Sequence, residues 1–192
     1  MRRLIALAAA GVLPLAVAGC LAPIHVSSHV EPAVDFAEYR TFAWDRADAM
    51  PVSDTRLERN PMFTDHMYGA VERQLAARGI ELTDAAAPPD LLVHYHASVI
   101  NRLAVERRGP APSACATETC NDRVEDFEQC TLVLDVVDAR TRQLVWRGWS
   151  EHRLDDLLAN ADDLARDVDR GIALMLARFP RVPVRSLPGD LR

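Results

Sequence analysis

Two histidines flanking a tyrosine, His94-Tyr95-His96, have the strongest claim to chemistry in this sequence. On a strand His94 and His96 point to the same face, and two imidazoles at that spacing can bind zinc or copper once a third ligand arrives. His152 on another strand, or His25 and His29, would supply that ligand. Asp90 or Asp135 could instead pair with a histidine for base catalysis. That arrangement needs a nucleophile, and neither a GxSxG elbow nor a comparable cysteine context is present, so no catalytic residue is assigned. The acidic run Glu125-Asp126-Phe127-Glu128 lacks the spaced ligands and glycine turn of a calcium loop. Trp146, Arg147 and Trp149 belong to the residue types enriched at binding hot spots. Trp146 reads as core, leaving Arg147 and Trp149 as a candidate interaction surface.

A different chemistry is written at the N-terminus. Arg2 and Arg3 precede the apolar run Leu4 to Val17, which is too short to span a bilayer core of about 30 Å and reads as a removable signal peptide over residues 1–19. Its small-residue end leads straight into a thiol. Val17-Ala18-Gly19-Cys20 resembles the lipobox of bacterial lipoproteins, in which the cysteine is lipidated and becomes the first mature residue. Each buried methylene contributes about 0.8 kcal/mol, so two or more acyl chains hold stably where one holds weakly. By this resemblance Cys20 is a membrane anchor. Leu21 stands where an Asp would mark retention at the inner membrane, which favours the outer membrane, facing the periplasm.

The chain has 192 residues with net charge −6, and removal of Arg2 and Arg3 with the signal takes it to −8. Its arginines form no basic stripe, so nucleic acid is excluded as a partner class. Lipidation of Cys20 would leave Cys115, Cys120 and Cys130, an odd number in an oxidising compartment where a disulfide is expected. Cys115 with Cys120 would close a tight loop, and either with Cys130 would pin that loop to the start of a strand. Without a CxxC spacing a zinc site is disfavoured. The polar stretch between Cys115 and Cys130 reads as a loop.

These residues need a scaffold, and its elements are legible in turn. Residues 20–35 form a tether or an early strand, with Ile24, Val26, Ser28 and Val30 alternating against His25, Ser27 and His29. Tyr39 to Trp44 alternates again and is rich in strand formers. Residues 45–59 read as a loop. Asn60 and Pro61 open a helix whose stripe is Phe63, Met67, Ala70, Val71 and Leu75, stopped at Gly79. Strands follow at Asp90 to Ile100, running on toward Arg107, then at Thr131 to Asp138 and Gln143 to Arg153, the last two joined as a hairpin. Asn160 caps a final helix with the stripe Leu164, Val168, Ile172, Met175, Leu176 and Phe179, ended by Pro180. One apolar stripe per helix predicts an α+β two-layer sandwich, with a mostly antiparallel sheet of four to five strands and two helices on one face. The single domain covers residues 36–182, and residues 183–192 form a loose tail.

Phe36 to Trp44, Asn60-Pro61, Arg78-Gly79, Pro89 to Val93 with His94 to His96, Asp138 to Thr141, Leu144 to Gly148 and Phe179-Pro180 follow one another in an order that resembles the domain-of-unknown-function family 4136 of bacterial lipoproteins. The resemblance runs from about Val26 to Pro180. It implies an envelope-anchored domain with no assigned activity and no cofactor beyond the lipid on Cys20. Two functions follow as expectations: a non-enzymatic outer-membrane lipoprotein that binds an envelope protein or plays a structural part, or a metal-binding protein centred on His94 and His96.

Overall fold

A computed structural model describes residues 24–45, 54–83, 87–108 and 121–181. The signal peptide, Cys20, Cys115, Cys120 and the tail expected at residues 183–192 lie outside them. Among the described residues six strands form one sheet: β1 (His25–Val30), β2 (Thr41–Trp44), β3 (Glu81–Leu82), β4 (Leu91–Arg108), β5 (Asn121–Asp138) and β6 (Leu144–Arg153). Four helices accompany them: α1 (Thr55–Glu58), α2 (Pro61–Ala76), α3 (Leu154–Leu157) and α4 (Ala161–Leu176).

The strand order is β1-β6-β5-β4-β2-β3. Adjacent strands run antiparallel from β1 through β6 and β5 to β4, whereas β2 runs parallel to both β4 and β3. The sheet is therefore larger than expected and mixed. The connection from β2 through α2 is a helical crossover, which returns the chain in the same direction rather than reversing it as a hairpin does. Of the two readings of residues 20–35, the strand is present: β1 pairs with β6 from His25 opposite Glu151 to Val30 opposite Trp146. The polar segment read as a loop becomes strand from Asn121 onward, continuous with β5. Residues 45–59 contain the single turn α1, which buries Leu57.

Strand periodicity decides the layers. Leu91, Val93 and Ala97 on β4, Cys130, Leu132, Leu134 and Val136 on β5, and Trp146 on β6 are buried against the helices. Every residue of both predicted helix stripes is buried in the same core. The N-caps form as read, with Asn60 accepting from Met62 and Phe63 and Asn160 accepting from Asp163. Gly79, at φ 83°, takes the left-handed turn after α2. Phe179 stacks edge-on to Phe36 and Trp146, each with ring centroids at 5.3 Å, and so closes the core beyond α4.

Two carboxylates tie the crossover and the hairpin to the sheet. Asp90 Oδ2 accepts from the backbone N–H groups of Arg40 at 2.8 Å and Thr41 at 3.0 Å, and from the Thr41 hydroxyl at 3.1 Å. Asp138 Oδ1 accepts from the backbone of Arg140 and Thr141 across the β5–β6 turn, while its Oδ2 takes the Tyr39 hydroxyl at 2.9 Å. Burial and the Asp138 carboxylate push the Tyr39 hydroxyl up to about 12. Burial alone would raise Asp138, but the donated Thr141 and Tyr39 hydrogen bonds outweigh it and hold the carboxyl below its ordinary range.

Gly148 is required by contact. A Cβ there would come within 2.3 Å of the Trp146 indole, which lies flat over the glycine two residues along the same strand. Gly148→Ala should therefore lower unfolding stability by about 1–3 kcal/mol, the usual cost of overpacking, as read from denaturant titration. Gly69→Ala is the control, because its methyl meets only the end of the flexible Arg73 side chain and should leave stability unchanged or slightly raised.

Candidate functional site

The sheet face opposite the helices carries the residues singled out for chemistry, and among the described residues no helix packs on it. Register assembles them in rows. His29, Arg147, Asp135 and His94 lie across β1, β6, β5 and β4 in one row, and Ser27, Trp149, Val133 and His96 in the next. Trp149 and Trp146 accordingly face opposite ways, the first on the open face and the second in the core.

Arg147 and Asp135 form the strongest pairing on this face. Arg147 donates through Nε to Asp135 Oδ1 at 2.5 Å and through a terminal nitrogen to Oδ2 at 2.6 Å, a bidentate fork. Asp135 is only 5% exposed, and the half-exposed guanidinium lies over it. One strand further, His94 Nε2 stands 3.9 Å from Asp45 Oδ2, which also accepts from Arg142 at 3.2 Å. The row thus sets the Arg147–Asp135 fork beside the His94 ring, with Asp45 at its end.

The metal expectation meets a geometric obstacle. His94 and His96 share the open face, but His152 lies opposite Cys130 and turns to the helix side, where its Nε2 is 3.0 Å from the Ser150 hydroxyl. His25 and His29 are on the correct face, but on β1, three strand spacings from β4 or about 14 Å. Among the described residues no group of three His, Cys, Asp or Glu side chains is placed to hold a metal ion. The disulfide expectation also changes at Cys130, which is a free thiol sealed in the core rather than a pin for the loop. Burial, with a smaller contribution from Asp54, pushes that thiol up to about 12 and leaves it unreactive. Asp90, weighed as a catalytic partner, is occupied by the start of β2.

A cleft of about 370 Å³ opens beside His152, lined by His25, Glu151, Arg153, Asp156 and Asp167 among others. Arg153 donates to Glu125 at 2.8 Å and stacks over the Phe127 ring at 4.3 Å, so the acidic run read as a solvated loop is held against β6. A second cleft of about 400 Å³ runs along the polar ties at Tyr39, Asp90, Asp138 and Thr141. Sequence reasoning missed the Asp135–Arg147 fork, because the four-residue turn of the predicted hairpin sets Asp135 opposite Trp146, and the bulge between Val136 and Val137 shifts the register by one residue to bring Arg147 opposite it.

Two outcomes follow from this geometry. Arg147→Leu leaves the buried Asp135 carboxylate unpaired and should cost about 3–5 kcal/mol, whereas Asp135→Leu with Arg147→Leu should regain most of that loss in denaturant titrations. His152 is lowered from its ordinary 6.5 first by burial and then by Arg170, against an opposing pull from Asp167. A group with a depressed folded pKa holds its stability above the unfolded value and loses it as pH falls through the folded value. Melting temperature should therefore drop as pH is lowered below 6.5, and His152→Gln should flatten that part of the profile.

No curated protein sequence matches the chain significantly. Among solved structures, a PDZ domain protein from Parabacteroides distasonis ATCC 8503 superposes with a TM-score of 0.50 at 16% identity, covering 84% of this chain and 37% of that one. This chain therefore spans little more than a third of that protein, and the likeness is one of fold. A PelC dodecamer from Paraburkholderia phytofirmans gives a TM-score of 0.43 at 13% identity, covering 81% of this chain and 96% of that one. The model of DUF4136, a domain of unknown function, matches residues 26–181, nearly all of the described fold, and the chain belongs to that family.

Proposed function

We propose that this chain is a bacterial envelope lipoprotein, tethered to the outer membrane through lipidated Cys20 and facing the periplasm, whose role is binding an envelope protein rather than catalysis. The observation that carries the binding role is the sheet face on which no helix among the described residues packs, with Arg147, Trp149, His94 and His96 in adjoining rows. A sheet normally buries at least one face, and here the described helices cover one, leaving on the other an aromatic and arginine surface of the kind that supplies interface anchors. The tether supports the location. Four residues lie between Cys20 and His25, and the five steps reach at most about 17 Å, so a lipid on Cys20 keeps the β1 edge close to the membrane. No helix among the described residues is long and apolar enough to cross a membrane.

Metabolic labelling with an alkyne palmitate should mark the wild-type chain and leave Cys20→Ser unlabelled; equal labelling of both would refute the anchor. A photo-crosslinking amino acid at Trp149 should then give a discrete adduct in intact envelopes, and one at the half-exposed Asp169 on α4 should not. Absence of an adduct at Trp149, or the same adduct from both positions, argues against the sheet face as the binding surface.

A further inference from the structure

Beyond the core, β4 and β5 continue alone. The β5–β6 ladder ends at Gln129 opposite Arg153, whereas β4 and β5 remain paired to Arg108 opposite Asn121. Residues 101–108 with 121–128 thus make a two-stranded ribbon reaching roughly 26 Å past the sheet. Isolated two-stranded ribbons are marginal in water. This one also exposes large apolar side chains, Leu103 at 72%, Val105 at 58% and Val124 at 60%. Val105 lies directly opposite Val124, and Leu103 is on the same face.

The ribbon has an open edge whose chemistry can be read residue by residue. On the side away from β5, the Val93 carbonyl accepts from Asp45 and the Ala97 carbonyl from Asp54; past Ala97 no described residue pairs with β4 on that side. The β4–β5 register is unbroken, so the alternation set at Val93 and Ala97 continues. Val99, Asn101, Leu103, Val105 and Arg107 therefore direct their N–H and C=O groups outward, and such a row is a template for another strand.

We propose that this edge pairs with the same edge of a second copy, antiparallel about a two-fold axis at Ala104. In that register Leu103 stands opposite Val105 of the other copy, both from the outward-bonding set, and each such pair exchanges two backbone hydrogen bonds. Arg102 falls opposite Glu106 twice over, and Asn101 opposite Arg107, so the charges complement. Shifting the two-fold axis by one residue to Val105 sets Arg102 against Arg108, and shifting it to Leu103 loses the Arg102 and Glu106 match. The β5 edge is a poorer template, because the Arg153 side chain already lies across its base on Glu125 and Phe127. The ladder runs from Ile100 opposite Arg108 and stops where Asp54 already occupies the Ala97 carbonyl, which keeps the two domains clear of each other. The pairing gathers the exposed Leu103, Val105 and Val124 of both copies into one apolar strip.

The test uses the full chain in cells, carrying Cys115→Ser and Cys120→Ser. Ala104 meets its own mate in a non-hydrogen-bonded pair, where the side chains are closest and a disulfide fits. Ala104→Cys should give a disulfide-linked dimer on mild oxidation. Arg102→Cys and Glu106→Cys should link poorly when expressed singly and well when expressed together. In detergent-extracted protein Arg102→Glu should weaken self-association roughly tenfold by sedimentation, and adding Glu106→Arg should restore it. Unchanged melting curves would show that the ribbon variants still fold. A protein that stays monomeric at all concentrations, an Ala104→Cys chain that does not link, or assemblies larger than two would overturn the proposal.

Discussion

The unbroken register of the β4–β5 ladder is the constraint on which the rest of the structure depends. From Leu91 opposite Asp138 to Arg108 opposite Asn121 the two strands never slip, so a single parity assigns every side chain on them to a face. One parity sends Val93, Ala97, Cys130, Leu132 and Leu134 into the core. The other sends His94, His96, Val133 and Asp135 to the open face, and the same alternation fixes which backbone groups project from the edge. A bulge anywhere along this ladder would exchange core for surface beyond it. The bulge that does occur lies on the other side of β5, between Val136 and Val137 in the pairing with β6, close to the turn where little core remains to be misplaced.

The residues that carry the family resemblance act as fasteners for this ladder. Asp90 seizes the start of β2 just before β4 begins, and Asp138 holds the β5–β6 turn while binding Tyr39 from the segment that leads into β2. Asp90 and Asp138 sit at the same end of the ladder, and the Ala139 N–H donates to the Asp90 carbonyl between them. Two short-range turns and one long-range crossover are thereby locked together where β2 must enter parallel to β4. Gly148 belongs to the same set for a steric reason, since the indole of Trp146 fills the space a side chain would need.

Elements with one apolar face were readable in the sequence because burial imposes a period. Phe63, Met67 and Val71 on α2, Leu164, Val168 and Ile172 on α4, and Leu132, Leu134 and Val136 on β5 all declare their direction by spacing alone. The β4 half of the ribbon was readable as a strand running on toward Arg107, but the β5 half was not, because Asn121 to Glu128 is polar apart from Val124 and Phe127 and has no apolar alternation to mark it as strand. Its pairing is set by continuity with Cys130 onward rather than by its own side chains. Strand β3 is two residues long, below any pattern, and its parallel pairing with β2 depends on a helix folding between them. His152 was misplaced because its residue type suggested ligation, while its position opposite Cys130 on the helix side puts it out of reach of His94 and His96 on the open face.

A ribbon without a core of its own still needs something to hold its direction, and the structure supplies that at the base on both faces. Arg56 from α1 forks onto Glu128 with both contacts at 2.8 Å on the helix side, and Arg153 from β6 grips Glu125 and Phe127 on the other. Exposed ion pairs of this kind contribute little stability singly, because solvent screens them. Placed on opposite faces of the same four residues, they restrict bending in both directions. The acidic run at the ribbon's base is therefore spent on fixing the angle at which the apolar tip leaves the sheet. That separates two surfaces of different character: an open face carrying the Asp135–Arg147 fork, and a projecting edge whose outward backbone groups no described residue pairs.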